Sequence, residues 1–364
     1  MKEYHDYIIV GSGLFGAIFA RELTDVGFKC LVIDKRNHIG GNCYTKKIEG
    51  IDIHEYGPHI FHTSNKRVWD YMNRWTEFNH FVYRPKVDND NLYSFPINLF
   101  TLYQLWEVKT PEEAKQKLEQ VKIKNDNPKN LEEWILSQVG EEIYKKFIYG
   151  YTKKQWGKEP KDLPASIIKR LPIRLTMDDN YFEDCYQGIP KDGYTAIFEK
   201  LLDGIEVRLN TDYLANKQHF DNTARKIVYT GPIDEFFNCD LGHLEWRSLK
   251  FEHEQHDIPD YQGNAAINHT QETVPYTRII EHKHFIFGKQ NKTIITKEYP
   301  EQWTPGKEKF YPINDEKNNK LYKSYKDRVN SAKYIMGGRL ADYKYYDMHQ
   351  VVGSALARVE KELI

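Results

Sequence analysis

Six residues near the N-terminus carry the first chemical signal. Gly11-Ser12-Gly13-Leu14-Phe15-Gly16 follows the apolar run Tyr7-Ile8-Ile9-Val10 and opens a stretch, Leu14 to Val26, that reads as a helix. The first glycine of such a turn permits a tight bend. The second lets a pyrophosphate approach the backbone, and the third lets the helix pack closely on the strand, with free amides at the helix start holding phosphate charge. Asp34 closes a second strand, Phe28 to Ile33, about 20 residues beyond the middle glycine, where its carboxylate can accept from ribose hydroxyls. The pattern predicts a strand-turn-helix-strand unit that binds a dinucleotide, held by Gly11, Gly13, Leu14, Phe15, Gly16, Asp34 and Lys35.

Arg36 and Ile39-Gly40-Gly41-Asn42 come directly after Asp34. A second glycine pair this close to the ribose end resembles FAD-binding oxidoreductases of the amine-oxidase type more than dehydrogenases. Gly337-Gly338-Arg339-Leu340, ahead of the last helix, offers further backbone amides and a C-terminal return that would close a flavin site. His59 and His62 stand in a Gly-Pro turn, where a histidine can lie against a flavin and respond to its redox state, with His59 the favoured contact. No metal is expected, because neither histidine has a carboxylate or another histidine at ligand spacing.

These groups need a scaffold, and the chain is long enough to build one. Its 364 residues allow two or three domains and need no disulfide or metal staple. Four cysteines without CxxC spacing suit a reduced, cytoplasmic setting. The polar N-terminus lacks signal-peptide features, and no apolar run is long enough to span a bilayer, so no membrane insertion is expected. With a net charge of −1 no global field draws nucleic acid, and any anion site must be local. The 26 Tyr, 18 Phe and 7 Trp give much of the apolar surface a polar handle, which suits planar or sugar-like ligands.

Asn73 to Pro96 reads as strands with a hairpin at Asp88-Asn89-Asp90-Asn91. Ile97 to Gly157 reads as helices, with caps at Thr110-Pro111-Glu112-Glu113 and at Asn130 with Glu133, and a stop at Gly140. The proline-punctuated stretch 158–190 reads as a connector with one short helix. Alternating stretches at Val207-Arg208-Leu209, Ile227 to Thr230, Ser248 to His253 and His284 to Thr296 favour an antiparallel sheet, and Met348 to Ile364 forms the last helix.

Eight strings in order carry a resemblance along nearly the whole chain. They are Ile39-Gly40-Gly41-Asn42, Tyr56-Gly57-Pro58-His59-Ile60-Phe61-His62-Thr63, Phe95-Pro96-Ile97-Asn98, Tyr151-Thr152-Lys153-Lys154-Gln155-Trp156-Gly157, Asp179-Asn180-Tyr181-Phe182, Tyr229-Thr230-Gly231-Pro232-Ile233-Asp234, Arg247-Ser248-Leu249-Lys250-Phe251-Glu252, and Gly338-Arg339-Leu340 with Tyr343, Tyr345 and Asp347. On these the sequence resembles the bacterial UDP-galactopyranose mutases. The resemblance implies an α/β protein with three parts. A Rossmann-like FAD-binding domain would span 1–80, with 190–235 and 330–364 returning to it. A mostly helical substrate domain would span 97–189 with a mobile loop at 158–175, and an antiparallel β-sheet domain would take 81–96 and 236–329.

The resemblance also implies the reaction: reversible contraction of UDP-galactopyranose to UDP-galactofuranose with reduced FAD, through a covalent adduct between flavin N5 and the sugar C1. Released UDP would be held by Arg170 and Arg278, whose planar forks bind phosphate oxygens in pairs. Tyr151, Tyr181, Tyr311 and Tyr345 would donate to the diphosphate, and Phe147, Tyr151 and Trp156 would box the uracil ring. Asp347 would orient Tyr345 or a sugar hydroxyl, its alternative being a helix N-cap before Met348. Gly41, Asn42, His59, Ile60, Gly338, Arg339, Tyr345, Asp347 and Met348 would complete the cofactor contacts, and Arg170, Arg278, His59, His62 and Tyr345 would carry catalysis. The 158–175 connector would close over the nucleotide-sugar and bring Arg170 onto the diphosphate. A cellular flavin reductant and a homodimer belong to the same implication. The competing expectations are a flavin amine oxidase-type oxidoreductase, a non-catalytic nucleotide-sugar binder, and a mutase acting on UDP-N-acetylgalactosamine.

Overall fold

A computed structural model describes residues 4–169 and 171–364. Among the described residues one sheet has five strands in the order Tyr334–Met336, Ala224–Tyr229, His5–Val10, Cys30–Ile33 and Glu206–Arg208, every neighbouring pair parallel. Its central strands are apolar without alternation because both faces are covered. Tyr7, Ile9 and Val32 pack with Phe15 and Phe19 of the helix Leu14–Asp25 and with Val352 and Leu356 of the last helix, Met348–Leu363. Ile8, Leu31, Ile33 and Ile227 pack on the other face with Tyr213 and Phe220. The sheet corrects one expectation: the stretches at 207–209 and 227–230 belong to this parallel sheet. Alternation reports that a strand has one wet face, as the edge strand Glu206–Arg208 does, and says nothing of its direction.

The second sheet has seven strands in the order Tyr311–Pro312, Trp246–His256, Thr293–Gln302, Arg278–Glu281, Ala266–His269, Lys86–Asn89 and Asn91–Ser94. Its pairs are antiparallel except Ala266–His269 against Lys86–Asn89, which run parallel. Asp90, at φ +61°, turns the 86–94 hairpin. The rest of the 73–96 stretch forms no long strand, and His284 to Thr296 begins in a 3-10 turn, His282–Ile286, before the strand starts at Thr293.

Between the two sheets in sequence lies the helical part. Pro111–Val121 carries the Thr110–Glu113 capping box, and Asn130 caps Leu131–Ile143. Gly140 breaks that run at φ +78°, where a Cβ would stand 2.5 Å from the Val121 carbonyl oxygen. A wide π turn, Tyr144–Tyr149, then feeds the short helix Gly150–Trp156. The connector holds two short 3-10 turns, Pro160–Asp162 and Ala165–Ile167, where one short helix was expected, and then the strand Tyr186–Gly188, which pairs with Phe61–Thr63. No helix among the described residues is long and apolar enough to cross a membrane. All four cysteines are free.

Candidate active site

Two cavities meet at the carboxyl edge of the parallel sheet. The first, about 280 Å³, is lined by Gly11, Gly13, Leu14, Phe15, Gly16, Asp34, Lys35, Gly41, Gly338 and Arg339. Gly11 is at φ +101°, and a Cβ there would stand 2.1 Å from Thr230 Oγ1. One at Gly41 would stand 3.1 Å from the Gly13 Cα. One at Gly337 would strike the Phe15 ring at 2.0 Å. Bare backbone therefore faces this cavity on several sides, a cradle that fits a pyrophosphate. Asp34 is more committed than its position in the sequence suggests. Its Oδ2 accepts from the Ser12 amide at 2.8 Å and the Ser12 hydroxyl at 2.6 Å, and its Oδ1 accepts from the Arg36 amide at 2.9 Å. It fixes the glycine turn from behind while remaining on the cavity wall.

The second cavity, about 260 Å³, shares Asn42, His59, Arg339 and Met348 with the first. Its wall includes Phe147, Tyr151, Trp156, Tyr181, Arg278, Tyr311, Tyr345 and Asp347, so the fold gathers side chains from all parts of the chain into one chamber. Ile60, Tyr345 and Asp347, expected on the cofactor, line this chamber and not the first. Arg170 lies outside the described residues, while its neighbours Ile167, Ile168 and Leu171 line the chamber.

Arg278 stands inside this chamber, and Arg339 on the wall it shares with the first cavity. The Arg278 Nη2 donates to Tyr151 Oη at 3.1 Å and lies 3.2 Å from Glu298 Oε1. Burial works against its charge, but Glu298 and the surrounding tyrosines more than compensate and raise its pKa well above the usual guanidinium value. The phenols respond in the opposite sense: burial raises Tyr151 and Tyr311 well above 10 and Tyr83 to about 12, so all three stay neutral donors. Tyr311 stacks on Tyr345 at 5.2 Å, and Trp156 lies 6.4 Å from Tyr311. Arg339 lies 5.3 Å over the Tyr345 ring and donates to the Tyr346 carbonyl. Phe147 is 2 % exposed and meets Tyr93 edge-on, so it is chiefly a core side chain whose edge reaches the wall.

The two histidines are held differently. His59 Nδ1 lies 2.8 Å from the Gly57 carbonyl, which can only accept, so the proton sits on Nδ1 and Nε2 is left as acceptor. The His59 amide donates to His54 Nδ1 at 3.0 Å, and the His54 amide donates to His282 Nδ1 at 3.2 Å. Burial pushes His59 down to about 4, His282 to about 3 and His54 well below its ordinary value, so this group is neutral. His62 stacks on Phe182 at 3.6 Å and contacts Asp184 through Nδ1 at 2.6 Å. Burial opposes the Asp184 charge, but the bonds from His62 and Ser64 outweigh it and hold the carboxyl below its usual value. The fold brings ligand atoms of His62, Asp347 and His349 within 4.8 Å of one another, a proximity that sequence spacing does not show. Asp347 is the N-cap of the last helix, its amide donating to Gln350 Oε1 at 2.9 Å, so the alternative reading of this residue describes it.

Sequence reasoning missed several wall residues. Gln155 and Asn268 are each 8 % exposed, and their carboxamide oxygens are buried without a hydrogen-bond partner among the described residues. A buried amide left open on a cavity wall points to a ligand that completes it. Gln155 lay inside the Tyr151–Gly157 string, whereas nothing local marked Asn268 or Tyr83. Glu298 gave no signal because its partner Arg278 is on another strand.

Fold and site together define a class: a Rossmann-type dinucleotide-binding enzyme whose cofactor cleft opens into a chamber lined by Arg278, the shared Arg339 and several phenols. The comparisons place it further. A family model described as UDP-galactopyranose mutase matches residues 146–345, and one for an NAD(P)-binding Rossmann-like domain matches residues 9–75. A probable UDP-galactopyranose mutase of Klebsiella pneumoniae is 39 % identical over 98 % of this chain and 94 % of its own. A dTDP-fucopyranose mutase of Escherichia coli is 38 % identical over 96 % of each chain. The crystal structure of a reduced UDP-galactopyranose mutase superposes with a TM-score of 0.78 at 14 % identity, covering 99 % of this chain and 94 % of that one. The chain belongs to the UDP-galactopyranose mutase family and is an enzyme of the isomerase class.

Proposed function

We propose that this enzyme interconverts UDP-galactopyranose and UDP-galactofuranose on reduced FAD. The observation that carries the reading is the junction. A glycine-lined dinucleotide cleft and a chamber with an anion-binding guanidinium share the wall of Asn42, His59, Arg339 and Met348. FAD would lie along Gly11, Gly13, Asp34, Gly41, Gly338 and Arg339, with its ring system toward that shared wall. When bound and reduced, it supplies a nucleophilic nitrogen for the anomeric carbon of the sugar.

The chain does the rest. Arg278, Tyr151, Tyr311 and Tyr345 hold the diphosphate as it departs and keep it for return, with Arg170 as the second cation. The Arg278–Glu298 pair is already neutral, so a multiply charged diphosphate calls for a further positive group. Tyr151 and Trp156, with Gln155 and Asn268 completing their open amides, hold the nucleoside. His59 stays uncharged and presents Nε2 as an acceptor at the junction. His62, its Nδ1–H held by Asp184, presents Nε2 as the atom that takes and returns a proton as the sugar ring opens and recloses. The 158–175 segment covers the chamber and excludes water. We place the enzyme in the cytoplasm, a reducing setting that its four free cysteines suit, and take the homodimer and the cellular flavin reductant from the family resemblance.

A second reading, a dTDP-linked 6-deoxyhexose substrate, draws on the Escherichia coli relative and on one feature of the chamber. Val87, Phe95, Phe147 and Ile148 give part of it an apolar wall able to receive the methyl of a thymine ring. One experiment tests both readings. The purified protein should show a yellow flavin spectrum and, after dithionite reduction, convert UDP-galactofuranose to the pyranose, followed by chromatography with dTDP-fucofuranose in parallel. Conversion by the oxidised but not the reduced protein, or an absence of flavin, would refute the scheme. Exclusive turnover of the dTDP-sugar would select the second reading.

A further inference from the structure

Lys154 has no place on the chamber wall, yet it is the most heavily engaged amine near it. Its Nζ lies 2.9 Å from the carbonyl oxygen of His269, 2.8 Å from Gln271, 2.9 Å from Val274 and 3.0 Å from Tyr276. An ammonium has three N–H groups, so four acceptors at this range share one charge. Three of these carbonyls belong to the loop that joins the strand Ala266–His269 to the strand Arg278–Glu281, and the fourth, of His269, ends the first of those strands. The lysine itself sits on the helix Gly150–Trp156.

Two further contacts seat the same helix. At Gly150, one turn earlier on the same face, a Cβ would stand 2.1 Å from the Thr270 carbonyl oxygen, so the helix rests on that loop with bare backbone. At the other end the buried Arg247 donates to the Gln155 carbonyl at 2.8 Å and the Lys154 carbonyl at 3.1 Å. The helix supplies Tyr151, Gln155 and Trp156 to the chamber, and the clamped loop runs straight into Arg278. The Tyr151–Arg278 contact of 3.1 Å spans the two clamped pieces.

We infer that Lys154 is a positioning residue: its charge gathers four carbonyl dipoles that would otherwise repel one another, and so fixes Arg278 against the helix that carries the nucleoside wall. This inference rests on the reading of the chamber as a nucleotide-sugar site. It implies that affinity for the nucleotide and turnover through Arg278 depend on the lysine, while flavin binding in the first cavity does not.

The test uses the flavin-loaded enzyme and UDP as the probe. Lys154→Met keeps the length and removes the charge; Lys154→Arg keeps the charge and the donors. In Lys154→Met, amide exchange across residues 269–277 should quicken by about tenfold or more. The Kd for UDP should weaken by about tenfold and kcat should fall with it, because Arg278 also holds the departing diphosphate, while bound flavin stays at the parent's level and Lys154→Arg restores most of both. A UDP Kd within about twofold of the parent, whatever the exchange does, overturns the inference. If the parent itself binds no UDP, the nucleotide reading of the chamber falls, and unchanged exchange in Lys154→Met would separately overturn the clamp. Should Lys154→Met not fold, Lys154→Gln makes the same test, because it removes the charge while keeping a donor toward the carbonyls.

Discussion

Arg278 and Glu298 are register partners on adjacent antiparallel strands, and the guanidinium Nη2 lies 3.2 Å from the carboxylate Oε1. Glu298 is 1 % exposed, so Arg278 is what makes its burial tolerable. Arg278→Ala should therefore cost about 3–5 kcal/mol of unfolding free energy by leaving a buried charge unpaired. The double variant Arg278→Met with Glu298→Gln should recover most of that in urea unfolding, and both should lose turnover. Equal stability of single and double variants would show that the pair is not energetically coupled.

Arg170→Ala should retain flavin and lose turnover by about a hundredfold or more if the second cation is needed on the diphosphate. An undiminished rate removes the residue from the site. In the parent enzyme, nucleotide-sugar should slow hydrogen exchange across 158–175; exchange unaltered by ligand would contradict closure of this segment.

Gly11→Ala should purify with little or no flavin. Its backbone is at φ +101° and the new methyl would meet Thr230 Oγ1 at 2.1 Å, so the turn must shift away from the phosphate position. The absorbance ratio of flavin to protein checks this, and a full complement of flavin would contradict the cradle.

Acid should destabilise the protein earlier than carboxylate titration alone would. His59 and His282 titrate near 4 and 3 when folded and near 6.5 when unfolded, so between these values the unfolded chain binds more protons. Stability then rises with pH across that window and is lost as pH falls below 6.5, by up to about 1.4 kcal/mol per pH unit for each histidine. His282→Gln should reduce the slope between about pH 5 and 6.5 by roughly one proton. A slope that does not change would mean His282 is not the neutral buried group described.

Asn268→Leu should stabilise the ligand-free protein and weaken UDP binding. The buried carboxamide oxygen has no partner among the described residues, and removing such a group recovers about 1–3 kcal/mol. A lower melting temperature together with unchanged affinity would show that the amide is not waiting for a ligand.

Much of the fold was legible because its signals are local. The glycine turn, Asp34 after the second strand, the Thr110 cap and the break at Gly140 are each decided by residues within a few positions. Strand direction was not: the edge strand Glu206–Arg208 with one wet face and the buried run at 227–229 lie in the same parallel sheet, and neither pattern carries orientation. The site divides along the same line. Gly11, Gly13 and Gly41 face a cavity for reasons their neighbours state. Arg278 looks unremarkable in Pro275-Tyr276-Thr277-Arg278 because its partners, Tyr151 and Glu298, arrive from other elements. The approach of His349 to His62, the open amide of Asn268 and the carbonyl cage of Lys154 exist only once distant segments are packed together.

The strand order of the parallel sheet bears on how the protein is made. Its centre, His5–Val10, leaves the ribosome well before its edge strand Tyr334–Met336 and the helix Met348–Leu363 that covers the Leu14–Asp25 helix. Until those two elements are made, the nascent chain exposes an unfinished apolar face, and native pairing waits on its most remote contacts. Loss of the Met348–Leu363 helix should therefore yield insoluble protein, and not a smaller working enzyme.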